Sequence, residues 1–239
     1  MNPDPINGVL LVDKGPDMTS HDVVAVARRT LNTKKIGHCG TLDPMATGLL
    51  ILVVGKATKI QDLLMSEDKE YSGSLELGKT TNTQDAEGVI ESESEVRDFS
   101  EEEIQAAFER FQGDFYQTPP MVSAIKKDGV PLYKLARQGK EVAREPRFVH
   151  VYSHRIDSIA LPLVEFTVKC SKGFYVRTYA HDIGAVLGCG AHLKSLRRTR
   201  SGRFDLERSV TFEELKHGDR KEILAKMLTL PEVSRLRGA

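Results

Sequence analysis

The stretch His38-Cys39-Gly40-Thr41-Leu42-Asp43-Pro44-Met45-Ala46-Thr47-Gly48 runs directly into the apolar hexapeptide Leu49-Leu50-Ile51-Leu52-Val53-Val54. Glycine near each end of the first segment allows sharp turns and a close approach of backbone to a neighbour. Pro44 removes a backbone donor and biases Asp43 toward an extended conformation. The six apolar residues that follow have the length and β-branched content of a buried strand. The expectation is a stiff loop that offers one carboxylate at the mouth of a strand. Read by itself, an Asp-Pro turn serves equally to bond nearby backbone amides.

Working outward, the chain alternates helix-like and strand-like segments without repeats or low-complexity linkers. Gly8 to Val12 reads as a strand. Ser20 to about Leu31 reads as a helix capped by Thr19 or Ser20, with Val23, Val24, Ala27 and Leu31 on one face. Gly48 to Gly55 is the buried strand, and a helix follows from Ala57 to about Met65. Tyr71 to Leu77 alternates with period two. Ser100 and Glu103 form a capping box for a helix to about Phe111, and Thr211 and Glu214 open a final helical stretch to Leu228. Val164 to Cys170 and Phe174 to Val176 read as strands, and Thr178 to Leu187 as a helix. The fold class expected is α/β.

The composition is that of a globular protein. The chain has 239 residues, 40% hydrophobic and 28% charged, which excludes a disordered chain. Its longest apolar run, Leu49 to Val54, is far too short to cross a bilayer, and no basic-then-apolar leader opens the chain. Three cysteines give no even disulfide framework, so reduced thiols and a cytoplasmic location are expected. Cys189 and His192 lack a second pair at ligand spacing, so no metal is expected.

The net charge of zero conceals an uneven distribution. From Ser66 to Pro120 acids outnumber bases 15 to 4, whereas from Met121 to Arg208 bases outnumber acids 17 to 8. One basic run holds Lys126, Lys127, Lys134, Arg137, Lys140, Arg144 and Arg147. The other holds Lys194, Arg197, Arg198, Arg200 and Arg203. Because salt confines a charge's field to about 10 Å, a local basic face can grip phosphates on a neutral protein. One motif points elsewhere. Gly73-Ser74-Leu75-Glu76-Leu77-Gly78-Lys79-Thr80 satisfies the phosphate-loop pattern, but that loop must follow a strand and lead into a helix. Here it coincides with the alternating strand, and Thr81 to Gly88 has no helical period.

The 38–48 segment resembles the catalytic loop of the TruB family, the tRNA pseudouridine-55 synthases. The resemblance continues in order through Asn7 to Lys14, Met18 to Val24, Gly78 to Gly88, and Pro119 to Lys126 with Tyr133, Ala136, Arg137 and Gly139. It ends with Lys172 to Thr178, Gly188 to His192, and Leu196 to Arg198. It implies a pseudouridine synthase catalytic domain built on a mixed, largely antiparallel sheet flanked by helices. It also implies Asp43 as the essential nucleophile, with Arg177 as its guanidinium partner. Such a partner would orient the carboxylate and oppose the rise in pKa that burial causes. Tyr71 is expected against the target uracil, with Tyr175 and Leu196 on the nucleotide and His38 holding the flipped-out structure. Lys59 matches a further position near the site. Lys126, Arg137, Arg147, Lys172, Arg197 and Arg198 are the expected RNA-binding cations.

Pseudouridylation conserves atoms and oxidises nothing, so no cofactor is expected. The partner expected is the T-arm stem-loop of tRNA, with no guide RNA and no membrane, and the enzyme is expected to act as a monomer. A guide-dependent relative shares the Asp loop, but normally carries a PUA domain. A non-catalytic RNA chaperone on the same scaffold would be expected to lack Asp43 or Arg177. The expected organisation is a catalytic domain over 1–210, with an RNA-binding insertion at about 117–147. A short helical tail follows over 211–239, without a PUA domain. One departure stands out. The family usually runs Lys-Pro, one residue, then Gly before Met-Thr-Ser, where this chain has Lys14-Gly15-Pro16-Asp17.

Overall fold

A computed structural model describes residues 6–123, 126–127, 129–132 and 142–238. In chain order its strands are β1 (Gly8–Lys14), β2 (Ile36–Cys39), β3 (Thr47–Val54), β4 (Lys69–Leu77), β5 (Lys79–Thr81), β6 (Ile90–Glu93) and β7 (Gly113–Gln117). They continue with β8 (Lys126–Lys127), β9 (Val130–Pro131), β10 (Arg147–Ala160), β11 (Leu163–Cys170), β12 (Ala191–Ser201) and β13 (Val210–Thr211). The helices are α1 (Ser20–Thr30), α2 (Gln61–Met65), α3 (Glu101–Glu109), α4 (Val176–Leu187), α5 (Phe212–His217), α6 (Arg220–Ala225) and α7 (Leu230–Arg237). Arg137 and the side chain of Lys126, both expected to bind RNA, lie outside the described residues.

The chain divides into two compact units, one of residues 1–71 and 196–239, the other of 72–195. In the first, the strand order is β13-β1-β3-β12, with β2 also on β3. β1 runs antiparallel to β3, pairing Gly8 with Val54 and Lys14 with Gly48. β12 joins β3 in parallel, with Arg198 opposite Gly48. One face packs Val9, Leu11, Leu49, Ile51 and Val53 against Ala57, Leu64, Phe204 and Leu228. Leu10, Val12, Leu50 and Leu52 on the other face are equally buried. A strand covered on both faces is apolar throughout, which is why 49–54 shows no alternation. α1 starts at a full capping box between Thr19 and Asp22.

In the second unit the order is β12-β4-β11-β10-β7, and β10 is antiparallel to both β11 and β7. An aromatic cluster of Phe108 on α3, Phe166 on β11 and Tyr179 on α4 packs at centroid distances of 5.6 to 5.9 Å and holds the helices on one face. The architecture is the expected mixed, largely antiparallel sheet with flanking helices. The phosphate-loop match fails here as its pattern foretold, because Gly73 to Leu77 are strand β4 and Lys79 to Thr81 are strand β5.

Two expectations need correction. Phe174 to Val176 is not a strand: Phe174 and Tyr175 are the approach to α4, which begins at Val176. The stretch from Thr211 is not one helix. α5 stops at Gly218, whose backbone turns to φ −72° and ψ 166°. Asp219 then caps α6 through a bond accepted from Lys221 N, and a third helix, α7, follows.

Candidate active site

In the first unit, the 38–48 loop joins β2 to β3 and is braced from beneath. Gly40 and Gly48 have φ of +84° and +95°, a region L side chains rarely enter. A Cβ on Gly48 would stand 2.3 Å from the carbonyl oxygen of Arg198, so the close pairing with β12 also demands glycine. Arg198 is 1% exposed. Its Nε donates to Leu49 O at 2.7 Å and its Nη2 to Gly40 O at 3.1 Å. Its place is under the loop, so the expectation that it is a surface cation for RNA gives way to a bracing role.

Lys14, fully buried at the end of β1, donates from Nζ to Gly15 O at 2.9 Å, Met18 O at 2.7 Å and Pro44 O at 3.1 Å. A buried ammonium is tolerated because three carbonyls replace its water. Ser20 Oγ accepts from Leu42 N at 2.9 Å. Ala46 N donates to Asp43 O at 3.1 Å, closing the turn around Asp43. The Asp43 side chain is half-buried at the crest of this turn. Charge-assisted bonds of this kind contribute about 1.5–3 kcal/mol each, so the loop is held in one shape.

His38 is half-buried beside the loop, with its ring edge-on to His21 at 5.4 Å. Burial, reinforced by the positive charges of His21 and Arg198, pulls its pKa down to about 4. At neutral pH it is an uncharged imidazole, suited to packing and hydrogen bonding rather than to gripping phosphate. Tyr71 on β4 is half-buried, Leu196 on β12 is 9% exposed, and Lys59 is exposed on the 3-10 turn Gly55–Ile60. Arg197 is already engaged: its guanidinium makes a two-pronged pair with Asp13 at 3.0 and 2.7 Å.

In the second unit, Arg177 lies in the first turn of α4 and is 4% exposed. Its Nη1 donates to Thr83 O at 3.0 Å and its Nη2 to Val122 O at 2.7 Å. The Oδ2 of Asp85 stands 3.5 Å from Nη1, and both side chains are 4% exposed. Asp85 is itself held, accepting from Thr83 Oγ1 at 2.5 Å and from Glu87 N at 3.1 Å. Gln84 between them sits at φ +64°, fixed by Thr178 Oγ1 on its side chain and Leu193 N on its carbonyl.

Tyr175 is half-buried at the head of α4, and Gln117 fastens it from both sides. Gln117 Oε1 accepts from Tyr175 N at 2.8 Å and Nε2 donates to Tyr175 O at 3.0 Å. Lys172 and Arg147 are exposed. Three residues of evident consequence had no role assigned from sequence: Asp85, Gln117 and Lys14. Each has a partner far along the chain, Arg177 for Asp85, Tyr175 for Gln117 and Pro44 for Lys14, which leaves no periodic signal, although Asp85 and Lys14 lie inside the blocks that carry the resemblance.

A family model described as TruB family pseudouridylate synthase (N terminal domain) matches residues 28–176. A second, described as tRNA pseudouridylate synthase B C-terminal domain, matches residues 177–231. This chain belongs to the TruB family. Among curated relatives, "tRNA pseudouridine synthase B" of Opitutus terrae is 56% identical over 230 residues, covering 96% of this chain and 91% of the relative. The protein of the same name from Syntrophotalea carbinolica is 50% identical over 222 residues, covering 92% and 72%. Among solved structures, a Cbf5-Nop10-Gar1 complex matches with a TM-score of 0.73 and 29% identity, over 99% of this chain and 68% of that one. TruB-family membership therefore bears out the reading made from the motifs.

Proposed function

We propose that this TruB-family enzyme isomerises uridine to pseudouridine at position 55, in the T-arm loop of tRNA, with Asp43 as its catalytic carboxylate. The reaction breaks the bond from ribose C1′ to uracil N1, turns the ring, and forms a bond from C1′ to C5. The proton lost from C5 is matched by one gained at N1, so atoms and electrons balance without an external reagent. The chemistry requires one ionised carboxylate close to the sugar and the base, held in a fixed direction. The Asp43 turn carries this reading, because bonds to Gly40, Leu42, Pro44 and Leu49 make it rigid on every side.

Arg177 is assigned as the partner of Asp43, on the strength of the motif each residue occupies. Tyr71, Tyr175 and Leu196 form the walls for the extruded base, and neutral His38 supports the flipped-out nucleotide. The substrate is assigned from relatives of 50% identity or more named for tRNA. The guide-RNA reading is weaker, since the box H/ACA neighbour is 30% identical and spans more chain than this one covers. The enzyme works as a single chain without a guide, in a cytoplasm where Cys39, Cys170 and Cys189 stay as buried thiols.

Purified protein incubated with an unmodified tRNA transcript tests the proposal. Mapping should find pseudouridine at position 55 with the wild-type protein and none with Asp43→Asn, which binds the transcript as well as wild type. Product at another position only, or turnover by Asp43→Asn, overturns it.

A further inference from the structure

Among the described residues, one face of the second unit carries a row of exposed aromatic rings. Within β10, Val149 and Val151 are buried under the helices at 1% and 0% exposure, so Phe148, His150 and Tyr152 point the other way. The register sets Phe148 opposite Tyr116 and His150 opposite Asp114 of β7, the last strand in the order. Tyr116 is 72% exposed, Phe148 60% and Tyr152 44%. The rings are in contact, with centroids 5.7 Å apart for Tyr116 and Phe148 and 4.5 Å apart for His150 and Tyr152. Lys169 Nζ stands 5.7 Å over the Tyr152 ring. Asp114, a carboxylate in this row, is engaged by His150 Nδ1 at 2.6 Å.

Large rings left side by side in water cost free energy that a buried position would recover, so a contiguous row of them marks a contact surface. The character of the row selects the partner. Alternate residues on a strand repeat every ~7 Å, a step that an extended single strand of nucleotides can follow base by base. Rings interleaved with an imidazole and an ammonium suit bases and phosphates better than a dry apolar protein contact. The bases of duplex RNA are stacked away, whereas those of loops and ends can be splayed onto such rings.

We infer that the outward face of β7 and β10 is a stacking platform for single-stranded RNA, in which Tyr116, Phe148 and Tyr152 take bases and Lys169 takes phosphate. It is a second RNA site. α4, which carries Arg177, packs on the opposite face of the same sheet, where Tyr179 meets Phe166 of β11, the neighbour of β10. RNA outside the segment being modified would therefore be held here.

The test is fluorescence anisotropy on the full chain with labelled octauridylate, with and without saturating unlabelled T-arm hairpin. The labelled strand should bind equally in both cases, and more weakly at high salt. The double variant Tyr116→Ser with Phe148→Ser should weaken it at least tenfold, with an unchanged melting temperature and unchanged modification of the hairpin. Tyr116→Phe with Phe148→Tyr should restore binding. The inference is overturned if the hairpin displaces the strand, or if the serine variant binds it as well as wild type. It is also overturned if wild type sediments as a dimer that the serine variant disperses, since the face then meets a second copy. A hairpin that is never modified refutes the proposed activity instead, and leaves the titration without hairpin still decisive for the platform.

Discussion

Arg177 Nη1 and Asp85 Oδ2 lie 3.5 Å apart with both side chains 4% exposed, so a buried guanidinium faces a buried carboxylate next to two carbonyl acceptors. A buried cation is steadied by such a partner, and removing one side leaves the other uncompensated. Asp85 is thereby a positioning residue for Arg177, and its own anchors, Thr83 Oγ1 and Glu87 N, keep the carboxylate pointed inward.

Two substitutions separate charge from geometry at this pair. Arg177→Lys keeps the charge but cannot reach both Thr83 O and Val122 O with one planar fork. Its turnover should fall at least about tenfold, or 1.4 kcal/mol, with tRNA affinity little changed. Asp85→Asn should lower turnover in the same sense and also lower the urea midpoint. Single-turnover rates and filter binding distinguish this from a phosphate contact: a lost affinity with a preserved rate would assign Arg177 to the RNA backbone.

The brace beneath Asp43 is equally testable. Gly48→Ala forces a Cβ to within 2.3 Å of Arg198 O at φ +95°. Backbone cannot yield cheaply, so a loss of about 3 kcal/mol or more is expected. Arg198→Met, of similar length, leaves Gly40 O and Leu49 O without their donor and should cost about 1–3 kcal/mol. Denaturant unfolding gives both numbers. A Gly48→Ala protein of wild-type stability would show that the loop is not held as described.

These braces mark the boundary of what the chain discloses when read linearly. β3 was legible because a strand covered on both faces must be apolar at every position. The capping boxes at Ser100 and Thr211 were legible because their partners are three residues away. The end of α5 was missed because Gly218 reads as a tolerable helix residue, while its neighbour Asp219 starts a new cap. The approach to α4 was misread because Gln117, 58 residues earlier, sets its backbone. Arg198 sat in a basic run that reads as surface, and only the register of β12 on β3 turns it inward. Asp43 is proposed from its motif, whereas Asp85, buried beside Arg177, was not assigned a role at all.

The exchanged opening loop gives a stability prediction. Asp17 adopts φ +57°, a left-handed conformation that costs an L residue other than Gly about 1 kcal/mol. Lys14 Nζ spans this loop by donating to Gly15 O and Met18 O, which ties its two ends together. Asp17→Gly should therefore raise stability only slightly, by roughly 0–0.6 kcal/mol, because the glycine's greater freedom in the unfolded chain offsets most of the relieved strain. A destabilised variant in thermal melts would mean that the aspartate side chain itself holds the turn.

His38 predicts an acid-labile fold. In the unfolded chain it protonates near pH 6.5, but in the folded protein only near about 4, because burial disfavours the charge. Between these values the unfolded state binds the extra proton, so stability is full above 6.5 and falls as pH drops toward 4. The loss attributable to this one ring reaches up to about 3 kcal/mol. The fall in urea midpoint from pH 7.5 to pH 4.5 should be smaller in His38→Gln than in wild type. Carboxylates titrate in both proteins, so their contribution cancels in the comparison. Equal pH sensitivity of the two proteins would refute the assignment.

The grip on substrate can be resolved by salt. Lys59, Lys172 and Arg147 are exposed, whereas Arg198 is buried and Arg197 is paired with Asp13, so the exposed cations should carry the phosphate contacts. Each phosphate neutralised adds about 0.7–0.9 to the slope of log affinity against log salt. Lys59→Ser and Lys172→Ser should each flatten that slope by about this amount, and together by about twice it, while the single-turnover rate at saturation stays within about twofold of wild type. Arg197→Ser should change the slope less, because its charge is already balanced by Asp13. The substrate requirement follows from the same contacts. If the T-arm stem and loop present all the phosphates these residues reach, an isolated hairpin should be modified with kcat/KM within about tenfold of whole tRNA, or 1.4 kcal/mol. A hairpin a thousandfold poorer would show that recognition rests on a part of tRNA beyond the T-arm, and the salt slopes of hairpin and whole tRNA would then differ by the number of contacts made there.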